Sequence, residues 1–123
     1  MNSRDNHIQN RRRYRRYPIS ASASLKINDG KDSPALEILA ANISRSGLGA
    51  YSYVPIPDNI SVSIEMSFAG IKGIEKASLE GKIMHSSRLG SLYYIGIDFS
   101  EELNPDSQPL LYSHFWKIIE TDK

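Results

Sequence analysis

The chain has 123 residues, which fits one domain of ordinary size and leaves little room for a second folded unit. With 40% hydrophobic and 24% charged residues it can bury a conventional interior, so disordered, collagen-like and low-complexity classes are excluded; the absence of cysteine excludes disulfide frameworks, thiolate zinc sites and cysteine nucleophiles. The formal charge of +1 conceals an asymmetry: residues 1–17 hold six arginines against one aspartate, net +5, whereas residues 18–123 hold nine cations against thirteen carboxylates, net −4.

The first element is therefore a basic arm, residues 1–17, with Arg4, Arg11, Arg12, Arg13, Arg15 and Arg16. It lacks an apolar stretch and does not read as a secretory signal. The longest apolar runs, such as residues 38–41, fall far short of the roughly 20 residues that cross a bilayer. Together these features point to a cytoplasmic protein. The arm's only strongly apolar aliphatic is Ile8, so it is expected to be mobile until something anionic holds it. Its cations are all arginine, whose planar fork grips phosphate or a guanine edge through paired hydrogen bonds.

After Pro18, Ile19, Ala21, Ala23, Leu25 and Ile27 alternate with Ser20, Ser22, Ser24 and Lys26, the period of a half-buried strand. Residues 28–34 are rich in turn formers. A second strand is predicted over about 35–42, a loop at 43–47 and a third strand at 48–54, closed by Pro55 and Pro57. Ile60, Val62, Ile64, Met66 and Phe68 give the cleanest alternation of all, followed by a turn at 69–73. Further strands are predicted at about 76–87 and 92–99, joined by a turn at Leu89-Gly90-Ser91. From about 107 the period changes. Asp106 or Ser107 can cap a helix, Pro109 suits its first turn, and Leu111, Phe115, Ile118 and Ile119 recur at helical spacing, with Trp116 expected in the core. Six short strands and one amphipathic helix predict an all-β fold: a six-stranded antiparallel barrel over residues 18–123, with the helix covering an end or a seam.

Two patterns stand apart from this framework. Arg12-Arg13-Tyr14-Arg15-Arg16 places arginines four apart, and Asn42-Ile43-Ser44-Arg45-Ser46-Gly47 reads N-x-S-x-x-G. An R-x-x-x-R segment ahead of the first barrel strand, followed by a [D/N]-x-S-x-x-G turn after the second, resembles the PilZ domain family of bacterial cyclic di-GMP receptors. Residues 94–99, Tyr-Ile-Gly-Ile-Asp-Phe, are similar to that family's glycine-bearing last strand, so the resemblance covers nearly the whole chain.

The resemblance implies that Arg12 and Arg16 wrap the ligand, contacting its phosphates and the O6/N7 edge of guanine. Arg11/Arg15 also satisfies the spacing; Arg12/Arg16 lies closer to the first strand and is preferred. An additional arginine at the place of Arg11 implies an intercalated ligand dimer, whose clustered phosphates another cation would offset. Asn42 would meet the guanine Watson–Crick edge through its one carbonyl oxygen, and Ser44 would donate to a base or phosphate. Gly47 is expected to take positive φ and admit the backbone to the ligand. Cyclic di-GMP would draw the arm across the barrel mouth and create a surface that a protein partner reads.

Other chemistry is poorly supported. His7, His85 and His114 are scattered without metal-ligand spacing, so no metal or other cofactor is assigned. Ser44 has no nucleophile elbow or His–acid pair around it, so the chain reads as a non-enzyme. Tyr14 and Tyr17 among arginines leave an alternative, a basic-armed barrel that binds single-stranded nucleic acid or an anionic surface. That alternative gives no reason for the spacing of Asn42, Ser44 and Gly47.

Overall fold

The alternating pattern becomes six strands in the computed structural model, which describes residues 14–32, 34–70 and 73–122. They are β1 (Tyr17–Ile27), β2 (Leu36–Ile43), β3 (Gly47–Ser52), β4 (Ser61–Gly70), β5 (Gly73–Leu89) and β6 (Leu92–Phe99). Every pairing is antiparallel, and the strands close into a barrel in the order β1-β2-β3-β6-β5-β4. Leu25, Val62, Ile64 and Met66 face Leu48, Ile83, Ile95 and Ile97 across a continuous buried core, while the serines of β1 and β4 point outward. The β5–β6 hairpin turns on Gly90 and Ser91. Gly90 has φ +62° and Ser91 does not share that region, the arrangement in which the first turn position tolerates only glycine easily.

The helix α1 (Pro109–Asp122) starts slightly later than the periodicity predicts. Neither Asp106 nor Ser107 caps it. The Asn104 side chain accepts their backbone N–H groups at 3.0 and 2.9 Å, making a separate turn before the helix begins at Pro109. Pro109 is in the first turn as expected, where its missing N–H would have had no helical partner.

Leu111 and Phe115, one turn apart, are buried. Strands β1 and β4 pair only from Ser22 to Ile27 on β1, so the start of β1 and the end of β4 diverge. Helix α1 packs against that seam. Phe115 meets the Tyr17 ring edge-on at 6.0 Å, and His114 lies 4.7 Å from the Phe68 ring. Trp116 corrects the sequence expectation. It is 42% exposed, on the far side of the helix from Leu111, with its ring against Tyr112. No described helix is long and apolar enough to cross a membrane.

Two bulges decide which side chains face outward. Along β2, Ile38 and Ala40 point into the core, and strict alternation would send Asn42 after them. Between Ala40 and Asn42 the strand carries one residue more than β3, so the core position passes to Ile43 and Asn42 turns outward. On β5 an extra residue at Met84 does the same for His85, which pairs with Gly96.

Candidate functional site

The outward row created by these bulges runs across four strands: Asn42 on β2 pairs with Gly49 on β3, Gly49 with Gly96 on β6, and Gly96 with His85 on β5. Its centre is glycine for a steric reason. A Cβ at Gly49 would lie 2.1 Å from Tyr94 Oη and 2.6 Å from Asn42 Oδ1, and one at Gly96 would lie 2.3 Å from the His85 ring. Polar and aromatic side chains therefore lie directly on bare backbone.

Arg16 reaches this row from the residue before β1. Its Nη1 donates to Asn42 Oδ1 at 2.7 Å, and Asn42 Nδ2 donates to Tyr94 Oη at 2.9 Å. Tyr94 also meets the Tyr51 ring edge-on at 5.4 Å and the His85 ring at 6.1 Å. The result is a partly buried chain of a guanidinium, an amide and a phenol, walled by aromatic rings. The groups lie on the outer face of the barrel wall, beside the start of β1 and the end of β2.

The adjoining turn is built by Ser44, which is buried. Its Oγ accepts the backbone N–H groups of Ser46 at 3.2 Å and Gly47 at 3.1 Å, and its own N–H donates to the Gly47 carbonyl at 2.9 Å. Ser44 thus shapes the turn. Gly47 corrects an expectation: it is not among the residues with positive φ. Its requirement is close approach, because a Cβ there would lie 2.5 Å from the backbone carbonyl of Ile97 on β6. The turn is tied to the following segment by Phe99 N–H to Ser46 O at 2.9 Å and Leu103 N–H to Arg45 O at 2.8 Å.

Among the residues singled out from the sequence, the fold brings Arg16, Asn42, Ser44 and Gly47 together. Arg11 and Arg12 lie outside the described residues. Arg15 stacks over the Tyr17 ring at 5.2 Å, whereas Arg16 meets Asn42. Tyr94, Gly49, His85 and Arg45 also belong to the neighbourhood. The Arg45 guanidinium lies 5.2 Å from the centre of the Tyr14 ring, whose hydroxyl donates to the Glu102 carboxylate, and Arg45 Nε is buried without a hydrogen-bond partner among the described residues. Gly49 and Gly96 had a readable signal, since each interrupts an apolar strand at an outward position. His85 had none, because only the bulge brings it outward.

Comparison with known proteins decides the family. The PilZ domain model matches residues 10–114, an interval that takes in all six strands and the start of α1. The chain belongs to the PilZ domain family.

Several solved structures share its fold. The PilZ domain of Escherichia coli YcgR, solved with cyclic di-GMP, superposes with a TM-score of 0.66 at 18% identity, covering 91% of this chain and 94% of that one. The Bacillus subtilis inhibitor of motility MotI/DgrA gives 0.69 at 14% identity, and MrkH of K. pneumonia in its apo state gives 0.64 at 13%. Those two alignments cover 91% and 89% of this PilZ chain but only 53% and 50% of the neighbours, so the chain spans about half their length. No curated protein sequence matches it.

Proposed function

We propose that this PilZ domain is a receptor or adaptor for cyclic di-GMP that acts by binding and not by catalysis. The observation that carries the reading is the 2.7 Å hydrogen bond from Arg16 to Asn42, lying over Gly49 on the outer wall. The two groups that the resemblance assigns to guanine are adjacent, and each currently satisfies the other. A guanine offers both a replacement: its O6 and N7 accept from the guanidinium, and its N1–H and N2–H donate to Asn42 Oδ1. The aromatic wall of Tyr94 and His85 beside a glycine floor suits a flat base. That YcgR's PilZ domain was solved with cyclic di-GMP supports the same ligand for this chain.

In this reading Arg12 joins Arg16, and Arg11 supplies the extra cation for a stacked ligand pair. Ser44 and Gly47 hold the turn against which the ligand rests. Ligand binding draws the basic arm ahead of Arg16 across the outer wall, and the surface so formed is what a protein partner reads. The arm's charge assists capture of a phosphate ligand.

Isothermal titration with cyclic di-GMP, with GTP and a short single-stranded RNA as controls, tests the proposal. Saturable binding to cyclic di-GMP alone is expected. Loss of one bidentate guanidinium contact in Arg16→Ala should weaken it by about 1–3 kcal/mol, roughly 5- to 150-fold. Equal binding of RNA and cyclic di-GMP, with steep salt dependence for both, would replace the receptor reading with the electrostatic alternative. Hydrogen exchange tests the ordering step separately: amides of the arm ahead of Arg16 should gain protection when ligand is added.

A further inference from the structure

A second concavity lies on the outer wall beside Tyr51, with a volume of about 440 Å³. It exists because β1 presents the short side chains of Ser22 and Ser24 outward here, between strands that carry longer ones. Ser24 is the register partner of Glu37 on β2 and of Glu65 on β4, so the two carboxylates stand on opposite sides of a short hydroxyl. Two strand spacings separate their backbones, roughly 10 Å, which leaves a slot the width of one cationic head group.

The slot continues into an apolar face. Leu39, directly across from Tyr51, is 51% exposed, and Tyr53 just beyond β3 is 81% exposed. Leu92 lines the same concavity. An aromatic ring presented this fully to water beside exposed aliphatic groups marks a surface for contact with another molecule. Charge decides what kind. Glu65 has a partner, Lys76, at 3.6 Å, but both side chains are well exposed and such a pair contributes little. Glu37 has no cation within ion-pair distance among the described residues.

We propose that this groove is the docking site for an arginine-bearing segment of a partner protein. The guanidinium sits over Ser24 between Glu37 and Glu65, and the apolar neighbours of that arginine pack on Leu39, Tyr53 and Leu92. Arginine suits the slot better than lysine because its plane both forks onto a carboxylate and stacks on a tyrosine ring. The proposal does not depend on the ligand of the Arg16–Asn42 site, although Tyr51 forms a wall of both features.

Selection from a random displayed peptide library against the purified protein, followed by affinity measurement on the winning peptides, tests this directly. Winners should be enriched in arginine flanked by apolar residues. Their affinity should fall by about tenfold or more in Glu37→Lys and in Tyr53→Ala, the scale of a truncated anchor residue. Both side chains point outward, so thermal unfolding should confirm that the variants remain folded. In the double variant Glu37→Lys, Glu65→Lys, selection should shift to acidic peptides. Winners without cationic enrichment, or winners that bind the variants as well as the wild type, would overturn the assignment. So would sedimentation showing self-association that Tyr53→Ala abolishes, since a second copy would then be the occupant.

Discussion

Two glycines on β3, two residues apart and both facing outward, should lose different properties to the same methyl group: Gly47 stability, Gly49 binding. At Gly47 an added Cβ would lie 2.5 Å from the Ile97 backbone carbonyl, about 0.9 Å short of ordinary contact. That oxygen belongs to the β3–β6 ladder, so the strands themselves must separate. Overpacking of this kind costs about 1–3 kcal/mol, and for a domain of this size each kcal/mol lowers the unfolding midpoint by about 4 °C. Gly47→Ala should therefore melt roughly 4–12 °C below wild type. At Gly49 the new atom would meet the ends of the Tyr94 and Asn42 side chains, at 2.1 and 2.6 Å, and these can swing away. The loss is then the Asn42–Tyr94 hydrogen bond, about 1 kcal/mol, partly offset by the smaller conformational freedom of alanine in the unfolded chain. Gly49→Ala should unfold within about 4 °C of wild type yet lose most of its affinity for cyclic di-GMP. Differential scanning calorimetry and ligand titration on the two variants decide the matter. If Gly47→Ala proves the more stable of the pair, or Gly49→Ala binds normally, the account of this wall is wrong.

Ser44→Ala removes the acceptor of two N–H groups in a buried turn, and should destabilise the fold by about 1–3 kcal/mol in urea titration. Tyr94→Phe leaves the aromatic wall but withdraws the oxygen that orients the Asn42 amide; cyclic di-GMP affinity should fall several-fold while the melting midpoint drops by about 4 °C at most, the worth of that one hydrogen bond. Burial against Phe68 and the nearby Lys117 lower the pKa of His114 below 6.5, with Glu75 opposing them. Because the folded state then holds the proton less tightly than the unfolded chain, stability should decline as pH falls through about 6.5 and level off below the folded pKa. His114→Gln should flatten that part of the stability–pH curve measured between pH 7.5 and 5.5; an unchanged slope would assign the effect to other groups.

The barrel was legible because its interior is written at period two. Ile19 to Leu25 and Val62 to Phe68 are buried as their alternation requires, and β6 begins and ends where its residues predict. The helix was legible from Leu111 and Phe115, but its start was not, because Asn104 takes the N–H groups that Asp106 and Ser107 contribute to a turn of their own. Trp116 misled because a helical stripe widened by aromatics does not say where the stripe ends. At the candidate site, the resemblance picked out Arg16 and Asn42, and the fold does bring these two side chains together. The bulges at Ala41 and Met84 did not, since a bulge is an agreement between two strands about length and neither strand records it alone. For the same reason the role of Gly47 was misjudged: its neighbour is a carbonyl on β6, fifty residues away in the chain, and not a local φ angle.

The seat of α1 has a mechanical consequence. Phe115 holds the ring of Tyr17, and Tyr17 is the residue after Arg16, so the arginine that meets Asn42 is rooted on a pivot whose bearing is the helix. Prising the helix from its seam would loosen that pivot without touching Asn42 or the glycines beneath it. Force or competition applied at one end of the described residues is thereby transmitted to the Arg16–Asn42 hydrogen bond at the other.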